Sequence, residues 1–128
     1  MKYIVETKKN MKLASEALEQ SVASNEFSVL HVHNLKEKLT NKGIAFNNEC
    51  KVFEVCNPYK AAEVMSADME LNMALPCRIS IWEEEGKRYI GMISPKAMLA
   101  LLSDADELSS MAEEVEIVLK RIIDTAAL

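Results

Sequence analysis

Two cysteines, Cys56 and Cys77, occupy the settings in this chain most able to support chemistry, VFEVCNPYK and LPCRISIW. The first is a short run of β-branched and aromatic residues that stops at Cys56 and is followed by Asn57-Pro58, a helix cap with proline at the first helical position. A helix N-terminus presents unpaired amide N–H groups and a partial positive charge, which favour a thiolate and lower a cysteine pKa. Cys56 is therefore the candidate reactive or ligand-binding thiol, and Asn57 the residue that builds the terminus beside it. The plainer role for the same cysteine is that of a small apolar side chain, inert when buried away from charge. Cys77 follows Pro76 at a strand start and alternates with Ile79 and Ile81, which sends it toward the core. Should the two thiols converge within about 7 Å between Cα atoms, they would suit a redox pair or two soft metal ligands. Two thiols alone make an incomplete zinc site. His31 and His33 share a strand face and could add nitrogen ligands, although an alternating histidine pair more often lies on a half-exposed sheet surface. The candidate binding residues are thus Cys56, Asn57 and Cys77, with no catalytic residue assigned and no metal or cofactor expected.

The elements that must position these residues follow from periodicity and caps. KYIVE alternates polar and apolar residues and predicts a strand over residues 2 to 6. Asn10 caps a helix with Met11, Ala14, Leu18 and Val22 at helical spacing, ending near Asn25. FSVLHVHNL predicts a strand with Phe27, Val29, His31 and His33 on one face and Leu30 and Val32 on the other. A short helix runs through NLKEKLTNKGI and closes at Gly43. The strand over residues 50 to 56 feeds the helix PYKAAEVMSAD. MELNMALP fits neither period and predicts a connection with an extra helical turn. LPCRISIWEEEGKRYIGMIS reads as two strands joined by a charged turn at Gly86, and Ser94-Pro95 repeats the cap-plus-proline arrangement. The final helix, opening around Asp104 to Asp106, carries Met111, Ala112, Val115, Val118, Leu119, Ile122 and Ile123 at steps of three and four, with Glu113, Glu114 and Glu116 on its polar side. The economical arrangement is α+β, a mostly antiparallel sheet with helices packed on one face.

Composition narrows the functions. At 128 residues and 49% hydrophobic content, the chain matches one domain over residues 1–128 with one adequate core. Fifteen basic against twenty acidic residues give a net charge of −5, which disfavours nucleic acid. The start, MKYIVETKKN, lacks the apolar run of a signal peptide and no stretch approaches a membrane span, so the expected location is the cytoplasm and no membrane partner is expected. Three cysteines without a C-x-x-C spacing point to reduced thiols, and the eight methionines to core filling. With only three glycines there is no P-loop, no dinucleotide fingerprint and no G-x-S-x-G. The glutamates at 83 to 85 occupy a turn, and nothing in the sequence gives them or the helix glutamates the burial or pairing that raises a carboxyl pKa.

The segments EVCNPYKAAEVM, LPCRISIWEEEGK and GMISP resemble the domain of unknown function 302 family, which carries a CNP, an LPC and a closing proline in that order. The resemblance covers roughly residues 27 to 95 through Cys56, Asn57, Pro58, Leu75, Pro76, Cys77 and Pro95. It implies a β-α-β(4)-α arrangement similar to the TATA-binding-protein-like fold and a homodimer, and it brings no established activity; the fold likeness does not import DNA binding. Two functions remain open. One is a ligand-binding or accessory module with a pocket near Cys56 and Asn57, taking a small-molecule or anionic ligand. The other is a thiol-dependent redox enzyme or sulfur carrier that uses Cys56, with Cys77 as its partner. The missing catalytic machinery favours the first.

Overall fold

A computed structural model describes residues 1–128. Five strands form one sheet: β1 (Lys2–Thr7), β2 (Ser28–Asn34), β3 (Cys50–Cys56), β4 (Cys77–Glu84) and β5 (Lys87–Ile93). The helices are α1 (Met11–Ser24), α2 (Leu35–Asn41), α3 (Pro58–Ala67), α4 (Pro95–Ala100) and α5 (Asp106–Ala127), with a short 3-10 helix at Met69–Ala74. The strand order is β1-β5-β4-β3-β2 and every neighbouring pair is antiparallel. Local chemistry sets most of the boundaries. Asn10, Asn34, Asn57 and Ser94 each accept a backbone N–H of the first turn of α1, α2, α3 and α4. The β4–β5 loop has two residues, Glu85 at φ 52° and Gly86 at φ 79°. Positive φ at both positions gives the turn whose twist matches the flanking strands, and glycine adopts it without steric cost.

Alternation along the strands divides the sheet into a buried inner face and an open outer one. Phe53, Val55, Ile79, Ile81, Ile90 and Met92 point inward and join Ala14, Leu18, Val22, Leu119, Ile122 and Ile123 of α1 and α5 in a 14-residue core. A second, five-residue core of Val64, Leu71, Leu99, Leu108 and Ala112 lies between α3, the 3-10 helix, α4 and the first half of α5. Helix α5 spans both cores, which is why its apolar stripe is the longest in the chain.

One strand departs from the sequence reading. The β2–β3 register shifts between Val29 and His31, where two residues of β2 oppose one of β3. Leu30 is the extra residue and is left 59% exposed. A bulge of one residue exchanges the faces of everything beyond it. Val29 and Val32 consequently both face the helices and pack on the core. His31 and His33 take the outer face, rather than sharing one with Phe27 and Val29.

Candidate functional site

Beyond Ser80↔Gly91 the sheet comes apart. The β3–β4 ladder continues to Val55↔Cys77 and the β1–β5 ladder to Lys2↔Ile93, but β4 and β5 have no register partners past Ser80 and Gly91. Residues flanking a two-residue hairpin loop form a hydrogen-bonded pair, and such pairs recur at every second position. Arg78 and Ile93 would be the next one, and it is not formed. The two strands separate because they lead to different places. β5 stays with β1, where the Ser94 N–H donates to the Met1 carbonyl at 2.6 Å, and then turns into α4. β4 emerges from the 3-10 helix through Leu75-Pro76 and stays with β3.

The gap opens into a cavity of about 580 Å³ lined by 27 residues, 19 of them hydrophobic. One end reaches the outer sheet face at Ile4, Val52 and Trp82. The other passes into the seam between the two cores, at Ala61, Val64 and Leu99. Cys56, Asn57 and Cys77 all stand on its wall. Around it, the polar side of α5 braces the helices along the seam: Lys60 of α3, itself on the cavity wall, lies 2.8 Å from Glu114, and Lys96 of α4 lies 3.6 Å from Glu113. The Ser94 hydroxyl donates to Glu116 while accepting from Ala97 N–H at 3.1 Å. From sequence these glutamates read only as the helix's polar side. The partners that give them a role lie up to 54 residues away in the chain.

Cys77 pairs in register with Val55, so Cys56 is its diagonal neighbour. The two side chains leave by opposite faces of the sheet, Cys77 with Ile79 and Ile81 and Cys56 with Glu54 and Val52. All three cysteines are free. Burial, and after it the neighbouring Cys56, pushes the Cys77 thiol up to about 11. Burial also pushes Cys56 and Cys50 upward. At Cys56 this is the opposite of the shift a helix N-terminus was expected to produce. Burial is the cause, and the cap leaves little to oppose it. Asn57 Oδ1 accepts from Tyr59 N–H at 3.0 Å and Lys60 N–H at 3.2 Å, and the Asn57 carbonyl accepts from Ala61 N–H at 3.0 Å. Pro58 has no N–H to offer. The N–H groups of the first turn of α3 are therefore engaged by Asn57 itself, which corrects the sequence expectation of several free helix amides beside Cys56.

The histidines are not part of this cavity. The His31 and His33 rings meet edge to face with centroids 4.4 Å apart, and His33 Nε2 lies 3.3 Å from Glu54 Oε1. No group of three or more His, Cys, Asp or Glu side chains is arranged to hold a metal ion. No helix is long and apolar enough to cross a membrane. The parted strands, the one-residue bulge and the seam between cores have no signature in residue type. The only hint in the sequence was that Pro76 and Pro95 bracket the end where β4 and β5 separate.

No curated protein matches the chain. Among solved structures, the crystal structure of the uncharacterized conserved protein DUF302 from Bacillus stearothermophilus is similar over 98% of this chain and 97% of that one, at 30% identity and a TM-score of 0.93. The family described as Domain of unknown function DUF302 matches residues 3–126, so the likeness extends well beyond the CNP and LPC segments to β1, α1 and α5. The chain belongs to the DUF302 family.

Proposed function

We propose that this protein is a ligand-binding or accessory module whose site is the cavity at Cys56 and Asn57. The observation that carries the reading is the cavity itself. Its volume of about 580 Å³ falls within the range of roughly 300–1,000 Å³ usual for small-molecule sites, and its wall is mostly apolar with few polar groups. Thiol chemistry at Cys56, as in a redox enzyme or sulfur carrier, calls for a lowered pKa, whereas burial raises it. The three free thiols suit a reducing compartment such as the cytoplasm.

Binding of a neutral environment-sensitive dye such as Nile red tests the reading. Ala61 lines the cavity from α3, and Ala61→Phe places a ring in the space. The parent protein is expected to bind the dye saturably and Ala61→Phe to weaken it at least about tenfold, a difference of roughly 1.4 kcal/mol. Equal affinity in the two proteins, with unchanged melting, would remove the cavity as the site.

The homodimer that the family resemblance implies belongs to the same proposal. Leu30 on the free edge strand β2, with Ile44 and Phe46 beyond α2, remain 59%, 52% and 39% exposed, apolar surface that a second copy would cover. Sedimentation at micromolar concentration should give twice the 14.4 kDa chain mass, and a single-chain mass would rule the dimer out.

A further inference from the structure

The charge on the cavity wall has one sign. The chain carries 20 acidic and 15 basic residues, yet no Asp or Glu lines the cavity, and its charged wall residues are Lys2, Lys60 and Arg78. Lys60 is matched at 2.8 Å by Glu114. The other two are not matched so closely. Lys2 makes no ion pair, and Arg78, its side chain 66% exposed, has only Glu54 at 3.7 Å, a carboxylate that also lies 3.3 Å from His33. Register fixes where these two cations stand. Lys2 lies opposite Ile93 on one side of the gap, and Arg78 holds the position on β4 that would face Ile93 if the ladder continued. Both are on the outer face, Arg78 on the β4 bank of the opening and Lys2 one strand behind the β5 bank, and the missing Arg78–Ile93 exchange leaves the main chains of Arg78 and Ile93 facing it. Ile4 and Trp82 add apolar surface on the outer face at this mouth, and inward the wall is mostly apolar as far as Val64 and Leu99 in the seam.

Resting on the binding reading above, we propose that the ligand is a single-chain amphiphile with an anionic head. Its hydrocarbon chain lies in the seam between the two cores, and its head sits at the outer mouth between Lys2 and Arg78. A mostly apolar interior rewards burial of each methylene, whereas a compact polar anion would gain little from it. Two exposed cations add a modest, screenable attraction for the head. A free amphiphile and a membrane lipid share this chemistry, and the geometry favours the free one, since the chain must thread between strands.

Titration calorimetry with dodecanoate, dodecanol and dodecyltrimethylammonium, each below its micelle concentration, tests the proposal on the full chain. The parent is expected to bind dodecanoate about tenfold tighter than dodecanol, two exposed charges being worth about that factor together, and the ammonium compound most weakly. Replacing both cations, Lys2→Met with Arg78→Met, should bring dodecanoate to the level of dodecanol and leave dodecanol unchanged, which also shows that the variant is folded. Equal binding of dodecanoate and dodecanol by the parent would overturn the head-group assignment while the cavity stands as a site. Binding of neither would overturn the assignment and the cavity reading together. Flotation with phosphatidylglycerol vesicles, without uptake of monomeric dodecanoate, would place the anion in a bilayer and also overturn it.

Discussion

Leu119→Ala should lower the unfolding free energy by about 2–5 kcal/mol. Leu119 is fully buried on α5, belongs to the 14-residue core and also lines the cavity. Truncation removes the transfer free energy of the buried side chain and adds a cost for the space it leaves. That space joins an existing cavity whose walls are fixed by the sheet on one side and the second core on the other, so relaxation cannot fill it. Chemical denaturation with an unchanged slope is the measurement. A loss below about 0.5 kcal/mol would mean that α5 does not hold the two cores together as described, because surface substitutions fall in that range.

The second large effect concerns the thiols. With its pKa at about 11 rather than the usual 9.0, Cys77 holds about one thiolate per thousand molecules at pH 8, some hundredfold fewer than an unperturbed cysteine. Alkylation followed by mass spectrometry should therefore modify Cys77 last of the three, and its rate should keep rising with pH toward about 11 as the proton is lost. The sign follows from the cause: burial disfavours the charged form, so the reactive species appears only at higher pH. Cys56, half-buried and raised by burial alone, should react sooner than Cys77 but without the fast phase at neutral pH that marks an activated nucleophile. Rapid modification of Cys56 at pH 7 would restore the thiol-chemistry reading. Modification of Cys77 ahead of the others at pH 8 would show that its burial is wrongly placed.

What the sequence by itself determined is whatever depends on near neighbours in the chain. β3 begins at Cys50 and ends at Cys56, Asn57-Pro58 opens α3, Glu85-Gly86 turns the hairpin, and the stripe through Leu119 and Ile122 is buried. Alternation, helical spacing, caps and turn conformations act over one to four residues, so residue types carry them directly. MELNMALP resisted assignment because six residues of 3-10 helix satisfy neither period. The tertiary structure decided what depends on distant partners. β1, first in the chain, pairs with β5, last among the strands, and this pairing draws β5 away from β4 and opens the cavity. One extra residue at Leu30 exchanged the faces of His31 and His33, a displacement that period-two reading cannot register because both phases look alike. The locus of Cys56 and Asn57 could be named from sequence, but the environment of its thiol is set by packing. Burial raises the thiol, an effect of packing that residue types do not carry, whereas the asparagine engages the helix amides within three residues of itself.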